Sequence, residues 1–439
     1  MHDMKNLFFL MYPLKGPHYA TFRLAALLGD LGFNIIFIAP SGLHQLINGQ
    51  GWAAETLGTQ TEADDEIGSI RNYNSLLENI DAARPEILGM IGTLVNRHHP
   101  VGVLVDADII GFALPFYHFK VPVVVINEHY QSDKSTAAPP FFSSTVAGNS
   151  WWHKLLIHTE WMQCLYRNKA RYWRQRLESG GKTDLQHSRL AHVCGFPLKR
   201  FARFDRAWGY RLTNYPEYFL YPQEMDFSRT FLPGQLLIGP MVDLNRTEPA
   251  FCWEKINRQD KIIFCSLGTL PEVYITHIDT FFQKLINACR NIDGIQLILS
   301  VGKRLSAVNI DPSWNNVHVF EQVPQMEILK HASLMINHGG INSVKECIWF
   351  GVPMIAYPLS EQNDQKGTAA RIVYRGLGQR GTLTDAAEKI RRTILKVLNN
   401  PSYKTNTLRM QDTFRDYAAK ENMYASQIAR HFENIYSHY

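Results

Sequence analysis

Residues 334–346, which read LMINHGGINSVKE, decide the fold of this chain. An apolar run over residues 334–337 is followed by two glycines, and then Val344, Cys347 and Ile348 recur at helical spacing. A strand that turns directly into a helix leaves the first backbone N–H groups of the helix free, and such groups bind anions. The stretch therefore predicts an anion site between a strand and a helix of an α/β protein.

A purely structural interpretation of the same stretch is equally good when the stretch is taken alone. Ser343 and Glu346 have the S-x-x-E spacing of a helix capping box. The flanks favour a ligand site, because Gln-Val-Pro-Gln at 322–325 and Glu-Gln-Asn-Asp-Gln at 361–365 follow neighbouring predicted strands. Polar groups that follow several parallel strands converge at one edge of the sheet.

The same alternation of apolar runs and helical segments occurs twice along the chain, which is the order of parallel sheets with crossover helices. We predict an α/β protein with two Rossmann-like parallel-sheet domains that face a cleft. The first domain spans residues 1–245 and the second 246–417, and residues 418–439 form a C-terminal helix that packs back on the first domain. The predicted strands are 7–11, 35–38, 101–105, 121–126, 262–266, 296–301, 317–320, 334–337 and 354–357.

Composition excludes several classes of protein. The 439 residues are 45% hydrophobic and 19% charged, which is typical of globular chains. A net charge of +5 is too small to indicate nucleic-acid binding, although a local basic patch could face an anionic ligand or membrane surface. The six cysteines form no C-x-x-C pair, so we expect no structural zinc site and a reducing compartment. We find neither a signal peptide nor an apolar run long enough to cross a membrane, and we expect a cytoplasmic protein.

The segment from 322 to 365 resembles the donor-binding signature of the UDP-dependent glycosyltransferases with the GT-B fold. The matching pieces are Val-Pro-Gln at 323–325, the turn at 338–346, Gly-Val-Pro at 351–353 and Asp-Gln at 364–365, in that order. Weaker similarity extends over the whole chain and is closest to the bacterial carotenoid and macrolide glucosyltransferase branch.

The resemblance implies a role for each matching residue toward a UDP-sugar co-substrate. Glu361-Gln362 is a competing match for Asp364-Gln365, which has the better downstream register. The implied contacts are Gln322 and Val323 with the uracil, Gln325 and Glu346 with the ribose, His338, Gly340, Asn342, Ser343 and Thr269 with the diphosphate, and Asp364 and Gln365 with sugar hydroxyls.

Transfer to a hydroxyl needs a general base, and histidine supported by a carboxylate suits this role. His18 lies in the first loop of the chain and Asp106 follows the predicted strand at 101–105. The family has a Gly-His pair in this loop, and His18 falls one residue late, with Pro17 at the aligned position. His98, His99 and His129 are further loop histidines that could serve.

We expect no metal and no cofactor besides the co-substrate. Asp106-Ala107-Asp108 spells the D-x-D that some sugar transferases use for a divalent ion, but a match of this length is weak. A helix terminus and His338 could neutralise a leaving diphosphate without a metal.

Residues 151–177 are dense in aromatic and basic side chains and have two interpretations. In the first, Leu155, Met162, Tyr166, Trp173 and Leu177 form the face of an amphipathic helix that packs on the first domain. In the second, the segment is an acceptor wall or a peripheral membrane contact. The candidate acceptor-binding residues are Phe141, Phe142, Trp151 and Trp152.

Together these features predict an inverting transferase that moves a sugar, expected to be glucose, from a UDP-sugar to a hydroxyl of a small lipophilic acceptor. One alternative is transfer to a lipid-linked cell-envelope precursor. Two others are a non-catalytic GT-B-like activator of a partner enzyme and a sugar-nucleotide epimerase.

Overall fold

A computed structural model of the chain describes residues 5–57, 80–178, 187–268, 278–311, 313–360 and 363–436. In these ranges the strands β1–β15 are Lys5–Leu10, Phe33–Ile38, Ala53–Glu55, Gly102–Asp106, Val123–Asn127, Ala202–Arg203, Arg211–Leu212, Glu217–Phe219, Gln235–Leu237, Lys261–Ser266, Ile295–Ser300, Val317–Phe320, Ala332–Asn337, Met354–Ala356 and Gly378–Arg380. The helices α1–α14 are Lys15–Asp30, Ser41–Gly49, Ile80–His98, Ala113–His118, Trp151–Glu178, Ser188–Val193, Leu198–Phe201, Ile278–Cys289, Gln325–Leu329, Ile341–Trp349, Gln365–Tyr374, Ala387–Asn399, Pro401–Ala418 and Glu421–Tyr436.

Two parallel sheets organise the described part of the chain. The first has the strand order β3-β2-β1-β4-β5-β8-β9 and the second the order β12-β11-β10-β13-β14-β15. In both, the order reverses beside the first strand, between β1 and β4 and between β10 and β13. Ligands of such sheets bind beyond the carboxyl ends of the strands at these reversals. The predicted fold class is confirmed.

Successive side chains of each strand point to opposite faces of the sheet and pack into the layers that cover those faces. In β1, Leu7 and Phe9 pack with α1, α2 and α14, whereas Phe8 and Leu10 pack with α3 and α4. Every one of these four side chains is fully buried, which is why the strand reads as a continuous apolar run.

The last helix, α14, lies on the first sheet although it follows the second sheet in the chain. Ala425, Ile428 and Phe432 are buried in the same core as Leu7. An ion pair of 2.8 Å between Arg23 and Glu421 ties the start of α14 to α1. The chain therefore crosses between its two halves twice.

The short strands β3, β8, β9 and β15 have no counterpart among the predicted strands. Each has three residues, and β3, β9 and β15 are edge strands. A run of three residues is too short to show a hydrophobic period, so these strands depend on pairing with a neighbour that is already formed.

The long helix α5 turns the predicted apolar face to the outside. Leu155, Met162, Tyr166, Trp173 and Leu177 are exposed, and the buried side chains are Ile157, Trp161 and Cys164. The prediction that the first set packs on the domain is wrong, because α5 carries apolar residues on two sides and periodicity alone does not say which side meets the protein.

No helix in the described ranges is both long enough and apolar enough to span a bilayer.

Candidate active site

The turn between β13 and α10 has the open geometry of an anion site. Asn337 is fully buried, and its Oδ1 accepts a hydrogen bond of 2.8 Å from the Gly339 N–H. Gly339 has a φ of +83°, and Gly340 is the N-cap of α10 without a side-chain cap. The capping box is not formed, since the Glu346 carboxylate instead lies 2.8 Å from Arg246. The first N–H groups of α10 are thus left for another acceptor.

Glycines on both sides of the turn make room for the ring of His338. A Cβ on Gly268 would lie 2.6 Å from His338 Cε1, and a Cβ on Gly340 would lie 2.5 Å from Nε2. Burial lowers the pKa of His338 to about 4, so the ring is neutral at neutral pH, and its Nδ1 is buried without a partner. A neutral ring held in this way can give one N–H to a bound anion.

Two of the predicted nucleoside contacts, Gln325 and Glu346, meet beside α10. Gln322 is exposed and Val323 is buried. The Gln325 amide donates to Glu346, whose carboxylate also pairs with Arg246. A groove of about 580 Å³ adjoins these side chains, and its lining includes Arg246, Glu248, Phe251, Pro324 and Met326.

The two predicted sugar contacts, Gln365 and Asp364, have different partners in the structure. The Gln365 Oε1 accepts from the backbone N–H groups of Leu359 and Ser360, at 2.7 and 3.2 Å. The Asp364 Oδ2 lies 3.2 Å from His129 Nδ1 on the opposite domain. Thr269 and the competing Glu361-Gln362 pair lie outside the described residues.

His129 joins the two domains beside Asp364, one of the predicted sugar contacts. Its Nε2 lies 3.2 Å from the Asp108 carboxylate, and its Nδ1 faces Asp364. Burial acts to lower the pKa of His129, but Asp108 and Asp364 outweigh it and raise the pKa well above the ordinary value. The ring is a cation held between two carboxylates, which suits it to binding and not to accepting a proton.

Sequence reasoning gave His129 only as one of several loop histidines and Asp108 only as part of a D-x-D. One signal was available, because Asp108 follows β4 and His129 follows β5, and these strands are neighbours in the sheet. The pairing of His129 with Asp364 joins residues 235 positions apart in the chain, which no local pattern encodes.

The structure does not join His18 and Asp106. The Asp106 carboxylate accepts from the backbone N–H groups of Tyr12, at 3.1 Å, and Asp108, at 2.9 Å, and it caps a 3₁₀ helix over Ala107–Phe112. Burial, and next the Asp108 charge, raise the pKa of Asp106 to about 7. No hydrogen bond or ion pair therefore joins these two described side chains, although the predicted support of His18 by Asp106 requires one.

His18 lies in the first turn of α1 and is fully buried near Phe37. Its Nδ1 is 2.7 Å from the Leu14 carbonyl, and its Nε2 is buried without a partner. Burial lowers the pKa of His18 to about 4. Because a carbonyl oxygen can only accept, Nδ1 carries the proton and Nε2 carries the lone pair. Of the other candidate histidines, His98 pairs with Glu55 at 3.0 Å.

The turn of His18 meets the anion-site turn directly. The Asn342 side chain at the start of α10 donates a hydrogen bond of 3.0 Å to the Gly16 carbonyl. The Asn342 Oδ1 is buried without a partner. The two reversals of strand order, one in each sheet, thus face each other across this contact.

The predicted acceptor residues separate into two groups. Phe141 is buried with its ring centroid 6.3 Å from that of His129, and it contacts Phe142. Phe141 lines a small cavity together with Asp108, Asn127, Tyr130, Arg206 and Trp208. Trp151 and Trp152 are more than 60% exposed at the start of α5 and are not among the lining residues of this cavity.

Arg371 on α11 clamps the domains behind this cavity. It is buried, with its Nε 2.6 Å from Asp226 and a terminal nitrogen 3.2 Å from the Phe141 carbonyl. Its guanidinium lies 4.0 Å from the ring centroid of Tyr130. The loop that carries Phe141 is therefore held against α11, and a Cβ on Gly367 would lie only 1.6 Å from the Phe141 oxygen.

Comparison with known proteins agrees with this geometry. Residues 226–422 match the family of UDP-glucoronosyl and UDP-glucosyl transferases. The zeaxanthin glucosyltransferase of Pantoea ananas is 25% identical over 426 residues, covering 91% of this chain and 90% of the relative. The oleandomycin glycosyltransferase of Streptomyces antibioticus is 28% identical over 160 residues, which is 36% of each chain.

A solved structure shows the same fold over almost the full length. The glycotransferase of kitacinnamycin superposes with a TM-score of 0.68 at 16% identity, covering 98% of this chain and 99% of that one. The resemblance noted in the donor-binding segment is thereby confirmed. Residues 226–422 thus match the UDP-glucoronosyl and UDP-glucosyl transferase family, and the chain as a whole has the GT-B fold.

Proposed function

We propose that the protein transfers a sugar, with inversion, from a UDP-sugar to a hydroxyl of a small lipophilic acceptor. The observation that carries the proposal is the contact between Asn342 and Gly16, which sets an open helix N-terminus against the turn that holds a neutral histidine. One side of this contact suits a leaving diphosphate and the other suits a general base.

The diphosphate binds at the start of α10 in this proposal. The free N–H groups and the partial positive charge of the helix terminus attract the phosphate oxygens. His338 adds a neutral donor and Ser343 a hydroxyl. The negative charge that develops on UDP as the glycosidic bond breaks is stabilised by these groups, so the proposed mechanism needs no divalent ion.

His18 is the general base. The Leu14 carbonyl holds the proton on Nδ1, and a pKa lowered by burial to about 4 keeps the ring neutral. Nε2 therefore keeps its lone pair, and in this proposal it takes the proton of the acceptor hydroxyl as the oxygen attacks the anomeric carbon, which requires the bound substrates to expose the ring, since Nε2 is buried in this structure. A single displacement from the face opposite UDP inverts that carbon. His129, already protonated, binds the sugar end together with Asp364.

We place the acceptor on the side of the cleft where Phe141 and Trp208 stand near His129, next to a cavity of about 20 Å³ that is itself too small to hold it. The lining is mixed, with the rings of Tyr130, Phe141 and Trp208 beside the charged or polar Asp108, His129 and Arg206, so an aromatic wall and hydrogen-bonding groups both face this side of the cleft. The names of the relatives, a zeaxanthin glucosyltransferase and an oleandomycin glycosyltransferase, support natural products with free hydroxyls as the acceptor class.

The test uses UDP-glucose and a panel of hydroxylated terpenoids, macrolides and aromatics, with EDTA present. We expect UDP release that depends on the acceptor, and a β-linked product by NMR from the α-linked donor. An α-linked product would overturn the inverting mechanism. Tight UDP binding with no turnover on the whole panel would instead overturn the proposed acceptor class.

A further inference from the structure

The helix α5 has an inner side that is fully engaged with the protein. Ile157, Trp161 and Cys164 are buried. The Trp161 indole donates a hydrogen bond of 2.8 Å to the Ala138 carbonyl, and Asn168 donates one of 2.9 Å to the Ala207 carbonyl. The helix has 28 residues and, at about 1.5 Å per residue, is roughly 42 Å long.

The opposite side of α5 carries a continuous apolar stripe. Its members follow one another at intervals of seven and four residues, the spacing of a single helix face. Exposures are 47% for Leu155, 52% for Met162, 75% for Tyr166, 51% for Trp173 and 79% for Leu177. At the start of the helix the exposed rings of Trp151 and Trp152 stack on each other, 3.6 Å apart.

Positive charge is concentrated along the same helix. Residues 151–178 contain six Lys and Arg and two Glu, a net charge of +4, while the whole chain has +5. Helical spacing puts Lys169 on one flank of the stripe and Arg167 and Arg174 on the other. Within the described ranges none of these three side chains forms an ion pair. Glu160 is turned aside, since it accepts from the hydroxyls of Ser143 and Thr145.

We propose that the outer face of α5 binds an anionic membrane surface, with the helix lying in the plane of the interface. An apolar stripe enters the boundary between headgroups and acyl chains, indoles occupy the headgroup level, and flanking cations meet the lipid phosphates. A second copy of the chain is a less favourable partner for this face. Pairing two such stripes would bring the flanking cations Arg167, Lys169 and Arg174 of one copy close to those of the other, and like charges repel.

The position of α5 links this surface to the acceptor cavity. The inner side of the helix holds Ala138 and Ala207, which neighbour the cavity residues Phe141 and Trp208 in the chain. An acceptor dissolved in the bilayer would thus reach the cleft beside the docked helix. This consequence rests on the proposed function, whereas membrane binding itself does not.

The test is co-sedimentation of the full chain with vesicles of phosphatidylcholine alone or with added phosphatidylglycerol. We expect binding to the anionic vesicles that is several-fold weaker without phosphatidylglycerol or at high salt. The triple variant Met162→Gln, Tyr166→Gln, Trp173→Gln should bind at least about tenfold more weakly. The matched control, Leu31→Gln, Tyr117→Gln, Leu232→Gln, changes three comparably exposed apolar side chains elsewhere and should bind like the original chain.

Equal vesicle binding by the two triple variants would overturn the proposal. The proposal would also be overturned if the original chain bound no vesicles and instead formed a concentration-dependent dimer, measured by light scattering, that the α5 variant abolished. A second copy of the chain would then cover the stripe. Turnover of a water-soluble aromatic acceptor separates the two proposals: the α5 variant should retain it, and its absence in the original chain would contradict the proposed function alone.

Discussion

The two turns that meet at Gly16 and Asn342 are alike in architecture and different in chemistry. The first turn follows β1 and the second follows β13, and both lie at a reversal of strand order. Each begins a helix, and each holds a histidine whose pKa is lowered to about 4. Burial lowers the pKa of both rings because it disfavours the charged form. A shared pKa therefore does not imply a shared role.

The difference lies in what surrounds the rings. His338 is packed between Gly268 and Gly340, and the helix behind it has an uncapped N-terminus. His18 is packed near Phe37, and its Nδ1 is fixed by the Leu14 carbonyl. The first arrangement lets backbone and ring approach an anion, and the second leaves one nitrogen as a proton acceptor. In the proposed mechanism, glycine content and one carbonyl decide which histidine binds and which acts as a base.

The largest effect expected from this comparison is that of His18→Ala. Loss of a general base should lower kcat by about 10²–10⁴-fold while the Kd of UDP stays unchanged, since UDP is held by the other turn. Acceptor-dependent UDP release and calorimetric titration with UDP measure the two quantities. His118→Ala, at an exposed histidine on α4, is the control. Weaker UDP binding in His18→Ala would contradict this assignment, because it would show that the turn of His18 also contributes to binding UDP.

An intermediate effect is expected for Gly340→Ala. The new Cβ would lie 2.5 Å from His338 Nε2, so the ring or the turn must move away from the anion. The loss of one hydrogen bond to a charged group, about 1.5–3 kcal/mol, corresponds to a Kd for UDP that is about 10–100-fold higher. Gly49→Ala, at a helix end with no atom within 4 Å of the new Cβ, should leave the Kd unchanged. A normal Kd in Gly340→Ala would place the diphosphate elsewhere.

The smallest effect expected is a flat pH profile. A base works only when deprotonated, so kcat/KM falls as the pH drops through its pKa. Because burial lowers the pKa of His18 from 6.5 to about 4, kcat/KM should be constant from pH 8 to about 5.5. An acid limb near pH 7 would contradict this assignment and would point to Asp106, whose pKa burial raises to about 7.

Much of this architecture could be predicted from the sequence because its causes are local. Residues 334–346 contain a buried strand, two glycines and the start of an amphipathic helix, and the structure has β13, the turn and α10 at those positions. The principal strands of both sheets could be located in the same way, since strands buried on both faces read as apolar runs.

Only the tertiary structure decided which polar groups meet. His129 and Asp364 are 235 residues apart, Arg371 and Asp226 are 145 apart, and the side of α5 that faces outward depends on what packs beneath it. Local periodicity fixes which residues share a face, because the helix and the strand have fixed repeats. It does not fix the partner of that face, because partners are brought together by the packing of elements that are distant in the chain.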